Sequence, residues 1–100
     1  MRTQHQGRTL AISGVGELNA ANAGGFRDDI RAALQKDTTT IDIDLSVTTF
    51  VDSSGLGALI ALQKTMTDRG GVVRIVNPRA NVLQILELTR LHRVFEILKT

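Results

Sequence analysis

The stretch Phe50-Val51-Asp52-Ser53-Ser54-Gly55-Leu56-Gly57 joins the two patterns that decide the fold. Before it, residues 40–45 read Thr-Ile-Asp-Ile-Asp-Leu, and this strict alternation predicts a strand with one covered face. After it, an uncharged run continues to Gln63 and the pattern ends at Gly70-Gly71. These signals predict a helix with a serine at its N-cap and a glycine beyond its C-terminus. The stretch is therefore predicted to turn the chain from a strand into a helix.

Strand and helix patterns alternate along the rest of the chain. An N-terminal hairpin is predicted to turn at Gln6-Gly7, and further helices are predicted from an N-cap at Asn19 to Leu34 and over residues 82–91. The remaining predicted strands are residues 9–15, 72–76 and 94–97. Strands that alternate with helices after a first hairpin predict the α/β class, with helices joining parallel strands in a small mixed sheet.

The composition excludes several classes of protein. With 100 residues, 42% of them hydrophobic, and no cysteine, the chain is expected to form one soluble domain over residues 1–100, without disulfides or thiol chemistry. Three phenylalanines and no other aromatic residue leave little to stack on single-stranded nucleic acid, so no direct nucleic-acid partner is expected. No apolar run is long enough for a membrane span and no signal peptide is visible, which predicts a cytoplasmic protein.

Charge adds little to this assignment. The net charge is +2, but five arginines and a single acidic residue, Glu87, fall between positions 69 and 93. These arginines either form a patch for an acidic partner or are solvated side chains at the rim of helices and loops. We favour the second interpretation because five charges spread over several elements produce only a weak electrostatic field.

The sequence also argues against catalysis. Asp52 precedes the two serines where a nucleophile elbow requires glycine at a fixed offset, and only two histidines are available as a base. Gly55 and Gly57 lack the lysine of a phosphate-binding loop. Asp42 and Asp44 lie on one side of a strand without further ligands, so we expect Asp42 to be solvated and Asp44 to make a local hydrogen bond. No enzyme activity, metal or cofactor is therefore expected.

The junction at residues 52–54 remains the candidate site. Free backbone N–H groups at a helix start favour anions, and a phosphoryl group on a serine there would add nearly two negative charges beside Asp52. In the helix that follows, residues 56–62 contain almost no polar side chain. That helix is either buried on all sides or exposes one flank as a docking face, and periodicity does not separate the two.

These residues give the chain a resemblance to the STAS domain of the anti-sigma-factor antagonist type. The resemblance covers nearly the whole chain, and its specific part is Asp52-Ser53-Ser54-Gly55-Leu56-Gly57. The other matching segments are Asp44-Leu45-Ser46, Gly70-Gly71, Val76-Asn77-Pro78 and Leu86 to Leu91, with a weaker match at Gly16-Glu17-Leu18-Asn19. The resemblance implies a sheet of four or five strands flanked by helices.

The resemblance also implies partner switching. The unphosphorylated protein would bind an anti-sigma factor that is also a serine kinase, and this binding would release the sigma factor. The kinase would then phosphorylate Ser53, and the complex would dissociate. A serine phosphatase would remove the phosphoryl group. Asp52 and Ser54 would flank the modified serine in the recognition turn. The remaining implied partner-binding positions are Leu56, Gly57, Ile60 and Asn19.

Two departures from the family pattern bear on these expectations. The family commonly has aspartate where this chain has Asn19, and relatives usually continue into another helix beyond the position of Thr100. The second departure leaves an apolar flank less covered, which would permit a weak homodimer. The alternative function is a scaffold subunit of a transport or signalling assembly that does not switch, in which Ser53 is only a helix cap.

Overall fold

The computed structural model describes residues 1–100, which form seven strands, three α-helices and one 3-10 turn. Two of the strands, β3 and β5, are only two residues long. In chain order the elements are β1 (Arg2–Gln6), β2 (Thr9–Ser13), β3 (Glu17–Leu18), α1 (Ala23–Ala33), β4 (Thr40–Asp44), β5 (Phe50–Val51), α2 (Ser53–Asp68), β6 (Val72–Val76), α3 (Ala80–Leu88), the 3-10 turn (Leu91–Arg93) and β7 (Glu96–Leu98).

Five strands form one mixed sheet in the order β1-β2-β4-β6-β7. The β1–β2 hairpin is antiparallel and turns at Gly7, whose φ of 62° suits a residue without a Cβ. The other neighbouring pairs are parallel, and α1, α2 and α3 make the connections between them. The predicted α/β class with a small mixed sheet is confirmed.

One hydrophobic core holds the sheet and helices together. The alternation in β4 buries Ile41 and Ile43 completely, and α2 buries Leu59 and Leu62 to the same extent. Twenty buried apolar residues belong to this single cluster, to which all three α-helices contribute. No helix combines the length and the apolar character that crossing a membrane requires.

Near the C-terminus the elements are shorter than the pattern predicts. The last helix ends at Leu88 because Arg90 adopts the left-handed conformation, with φ of 61°, and the hydroxyl of Thr89 donates a hydrogen bond to the carbonyl oxygen of Ile85. The final strand begins at Glu96, two residues later than predicted.

The two strand aspartates have different environments. The backbone N–H of Ser46 donates a 2.8 Å hydrogen bond to Asp44, which confirms the local role predicted for that carboxylate. Asp42 was expected to be solvated, and this is wrong. It lies opposite Arg74 of β6 and accepts two hydrogen bonds from the guanidinium group, at 2.5 and 2.7 Å. The Asp42 carboxylate raises the pKa of Arg74 above its ordinary value.

Candidate functional site at the start of helix α2

A two-stranded parallel sheet positions the start of α2. In it, Leu18 of β3 lies opposite Val51 of β5, and both side chains are buried. The pairing continues one residue further, because the backbone N–H of Asp52 donates a 3.0 Å hydrogen bond to the carbonyl oxygen of Leu18. The junction before α2 is therefore held by a segment more than thirty residues earlier in the chain.

Asp52, not a serine, caps helix α2. One carboxylate oxygen, Oδ1, accepts a 3.0 Å hydrogen bond from the backbone N–H of Gly55, the third residue of the helix. The other, Oδ2, accepts a 3.1 Å hydrogen bond from the backbone N–H of Ala20. The prediction of a serine cap is wrong because aspartate is an equally good cap and stands one residue earlier. Asp52 also ties the helix to the loop after β3.

That loop is folded by its own asparagines. The Oδ1 atom of Asn19 accepts from the backbone N–H of Ala21, and the backbone N–H of Asn19 donates to Oδ1 of Asn22, both at 2.9 Å. Asn22 also donates to the carbonyl oxygen of Glu17 at 2.9 Å. Helix α1 begins after Asn22, so the prediction that Asn19 caps this helix is wrong. The structure nevertheless brings the loop of Asn19 against the cap of α2.

The two serines open the first turn of α2 and both are exposed. Asp52 already occupies the next two backbone donors: its carboxylate accepts from Gly55, and its carbonyl oxygen accepts from the N–H of Leu56 at 3.0 Å. The N–H groups of Ser53 and Ser54 have no intrahelical partner, as is usual for the first turn of a helix. A group transferred to the Ser53 hydroxyl would thus meet a helix start that carries one negative charge and retains free donors.

Gly55 permits the close approach of α2 to β3. A Cβ atom at this position would lie 2.6 Å from the carbonyl oxygen of Leu18 and 3.0 Å from Cγ1 of Val51. Both distances are too short for a side chain, so glycine is required by packing. Gly55 and Asp52 therefore both contact the carbonyl oxygen of Leu18, where the start of α2 meets β3.

The exposure of the side chains along α2 distinguishes between burial on all sides and one exposed flank. Ala58, Leu59, Leu62 and Met66 are buried, whereas Gly57 and Ile60 are exposed, so the helix has one buried face and one exposed flank. A Cβ at Gly57 would have no heavy atom within 4 Å. Leu56 is half-buried and packs against the core, unlike the other two predicted docking residues.

The sequence reasoning missed two parts of the site. The backbone N–H of Ala20 carries no signal of its own in a sequence, because any residue except proline has this donor. The sequence motif includes Phe50 without indicating a role for it, yet Phe50 is 50% exposed immediately before Val51 and Asp52. Large exposed aromatic side chains are common at protein interfaces, and the low number of aromatic residues makes this one a recognisable signal.

Replacing Asp52 by alanine is expected to lower the free energy of unfolding by about 1–2 kcal/mol, because a helix cap and a tie to Ala20 are lost together. Asp52→Asn retains one carbonyl oxygen and should lose about half as much. Urea denaturation measures both changes. Asp68→Ala, at the opposite end of α2, is the control and should change the free energy of unfolding by only about 0.3 kcal/mol. An Asp52→Ala variant as stable as the control would contradict this role.

The geometry defines a class: a small α/β domain in which an aspartate caps a helix, with an exposed serine and an exposed helix flank beside the cap. The sequence profile of the STAS domain matches residues 1–100, and the chain belongs to the STAS domain family.

Comparison with individual proteins agrees with this family. The chain is 33% identical over 85 residues to a Thermotoga maritima protein named "putative anti-sigma factor antagonist", covering 84% of this chain and 75% of the relative. A crystal structure from the same organism and with the same name superposes with a TM-score of 0.92 at 27% identity, covering 99% of this chain and 86% of that chain. The anti-sigma factor antagonist SpoIIAA in its unphosphorylated form superposes at 0.82 and 22% identity, over 99% and 86% of the two chains.

Proposed function

We propose that this protein is an anti-sigma-factor antagonist that works by partner switching. The unphosphorylated chain binds an anti-sigma-factor serine kinase and releases the sigma factor, and phosphorylation of Ser53 ends the binding. The observation that carries the proposal is the exposed Ser53 at the first position of α2, directly after the Asp52 cap. The relatives named anti-sigma factor antagonists support the general role.

The charges at the helix start explain why phosphorylation would act as a switch. A phosphoserine carries nearly two negative charges at neutral pH, and here they would adjoin the carboxylate of Asp52. Since Asp52 already accepts from Gly55, the phosphoryl group cannot take over this donor without displacing the cap. The modified helix start therefore gains negative charge, which an apolar partner surface packed against it would have to desolvate and an acidic one would repel.

The docking surface is the exposed flank of α2 together with the serines. Gly57 exposes helix backbone without a side chain, and Ile60, at 44% exposure, is an apolar contact one turn further. Phe50 adds an exposed ring just before the cap. A bare backbone flanked by apolar side chains suits close packing against a partner, and Ser53 lies at the same end of the helix.

In this account the protein is a substrate and a binding surface, and it catalyses no reaction. The kinase and a serine phosphatase supply the chemistry at Ser53, and both act in the cytoplasm. No group of three or more histidine, aspartate or glutamate side chains lies close enough together to hold a metal ion. Partner switching at Ser53 uses no cofactor bound to this protein and no direct contact with nucleic acid.

Gly57→Leu is expected to weaken binding to the kinase by at least about tenfold, because a bulky side chain would stand on the flank that the partner covers. The free protein should fold normally, since nothing lies within 4 Å of the new Cβ. The measurement is a pull-down from native cell extract with wild-type and Gly57→Leu baits, followed by titration of the purified captured protein.

The control variant is Lys36→Leu, which places the same side chain at an exposed position outside α2, in the loop between α1 and β4. Capture of a protein with a serine-kinase domain by wild type and by Lys36→Leu, but not by Gly57→Leu, is the expected result. Capture of transport components by all three baits would instead favour the scaffold function and overturn the switch.

A further inference from the structure

The outer edge of β1 carries few of the features that usually prevent a sheet edge from pairing. Strand β1 has β2 on one side only, and all five of its residues are exposed. It contains no proline, and its register runs without a bulge from the pair Arg2–Ser13 to the pair Gln6–Thr9. Such an edge presents a row of backbone donors and acceptors that another strand can use.

The opposite edge of the sheet is protected. Strand β7 has only three residues, Glu96–Leu98, and charged Lys99 follows it. Just beyond the end of β7, the side chain of Asn77 makes two hydrogen bonds with Thr100. It donates to Oγ1 of Thr100 and accepts from the N–H of Thr100, both at 2.8 Å. Short length and charged residues are common protections of an edge strand. Addition of a further strand is therefore expected at β1 and not at β7.

We propose that β1 pairs with β1 of a second copy of this chain. The two strands run antiparallel about a two-fold axis at Gln4, which joins two five-stranded sheets into one continuous sheet. In this register Arg2 lies opposite Gln6, Thr3 opposite His5, and Gln4 opposite Gln4 of the second copy. Each pair away from the axis then occurs twice, and the Gln4–Gln4 pair lies on the axis, as a closed two-fold interface requires.

The charges of β1 favour this arrangement over a parallel one. Antiparallel pairing places each Arg2 guanidinium opposite a neutral amide, whereas parallel pairing in register would place Arg2 against Arg2. Like charges directly opposite each other destabilise a strand pair. The side chains are polar, so main-chain hydrogen bonds hold the dimer, and we expect a weak and reversible association.

The dimer does not depend on the proposed function and does not obstruct the candidate site. Helix α2 packs against α1, β5 and β6, whereas β1 packs against β2. The flank of α2 and Ser53 are therefore not part of the paired edge. Two copies joined through β1 would present two copies of Ser53.

The test is sedimentation equilibrium of the full chain from micromolar to millimolar concentration, with charge variants at the two-fold axis. Wild type is expected to show a reversible monomer–dimer equilibrium. Gln4→Lys and Gln4→Glu should each be monomeric, because like charges then lie opposite each other, and an equimolar mixture of the two should recover the dimer. The matched controls are Gln35→Lys and Gln35→Glu, at an exposed position outside the sheet, which should associate like wild type.

Circular dichroism tests whether the Gln4 variants are folded, and we expect that they are because position 4 is exposed. A wild-type chain that stays monomeric at millimolar concentration would overturn the proposal. So would a dimer that persists in Gln4→Lys, or monomeric Gln4 variants whose mixture fails to recover the dimer. Because no kinase is present in this experiment, its failure would leave the switch at Ser53 unaffected.

Discussion

Replacing Gly55 by alanine is expected to lower the free energy of unfolding by about 3 kcal/mol. The new Cβ would lie 2.6 Å from the carbonyl oxygen of Leu18, a backbone atom that accepts the hydrogen bond from the N–H of Asp52. Relief of the clash must move α2 away from β3 or distort the two-stranded sheet. Alanine favours a helix by about 1 kcal/mol over glycine, but overpacking against backbone outweighs that gain. Urea denaturation of both proteins, fitted with one common m-value, measures the change in the free energy of unfolding.

Gly57→Ala is the matched control, two residues further along the same helix. Its Cβ would have no heavy atom within 4 Å, so only the helix preference acts, and stability should rise by about 0.5–1 kcal/mol. The two substitutions are chemically identical and should therefore have opposite signs. A Gly55→Ala variant that is as stable as Gly57→Ala would show that the close contact between α2 and β3 is absent.

Ser53→Ala is expected to abolish phosphorylation of the protein by the cognate kinase and ATP. Ser53 is the first residue of α2 and its side chain is exposed, so the kinase reaches the hydroxyl without unfolding the helix. The substitution should barely change stability, because Asp52 and not Ser53 caps the helix. Intact mass spectrometry measures the addition of one phosphoryl group to wild type and none to the variant.

Ser54→Ala is the control for this assignment, since Ser54 is equally exposed and adjacent. It should still accept one phosphoryl group. The reverse pattern, in which Ser53→Ala is fully modified and Ser54→Ala is not, would move the modification to the second serine.

The long elements were predictable from sequence because their side chains repeat a pattern. In β4 the alternation of Ile41 and Ile43 with polar residues mirrors their burial, and the apolar run of α2 marks the helix that packs beside the sheet. The two-residue strands β3 and β5 were missed, because two residues show no periodicity. Their pairing depends on contact between segments more than thirty residues apart.

Helix α2 begins within the stretch from which the sequence predicts it, but the predicted serine cap is wrong. Aspartate and serine are both good helix caps, so the order Asp52-Ser53 does not reveal which one takes the role until the backbone is in place. Asn19 and Asn22 present the same ambiguity for α1. The prediction that Asp42 is solvated was wrong for a related reason. Its partner, Arg74, lies on another strand, and the alternation within one strand does not reveal which residues lie opposite on the neighbouring strand.

The switch at Ser53 is tested by comparing the affinities of two forms of this protein for the kinase it captures. One form is unmodified, and the other carries phosphoserine incorporated at position 53 during synthesis. Isothermal titration calorimetry should give a dissociation constant at least about tenfold weaker for the phosphorylated form, a loss of about 1.4 kcal/mol or more. Equal affinities for the two forms would contradict the switch.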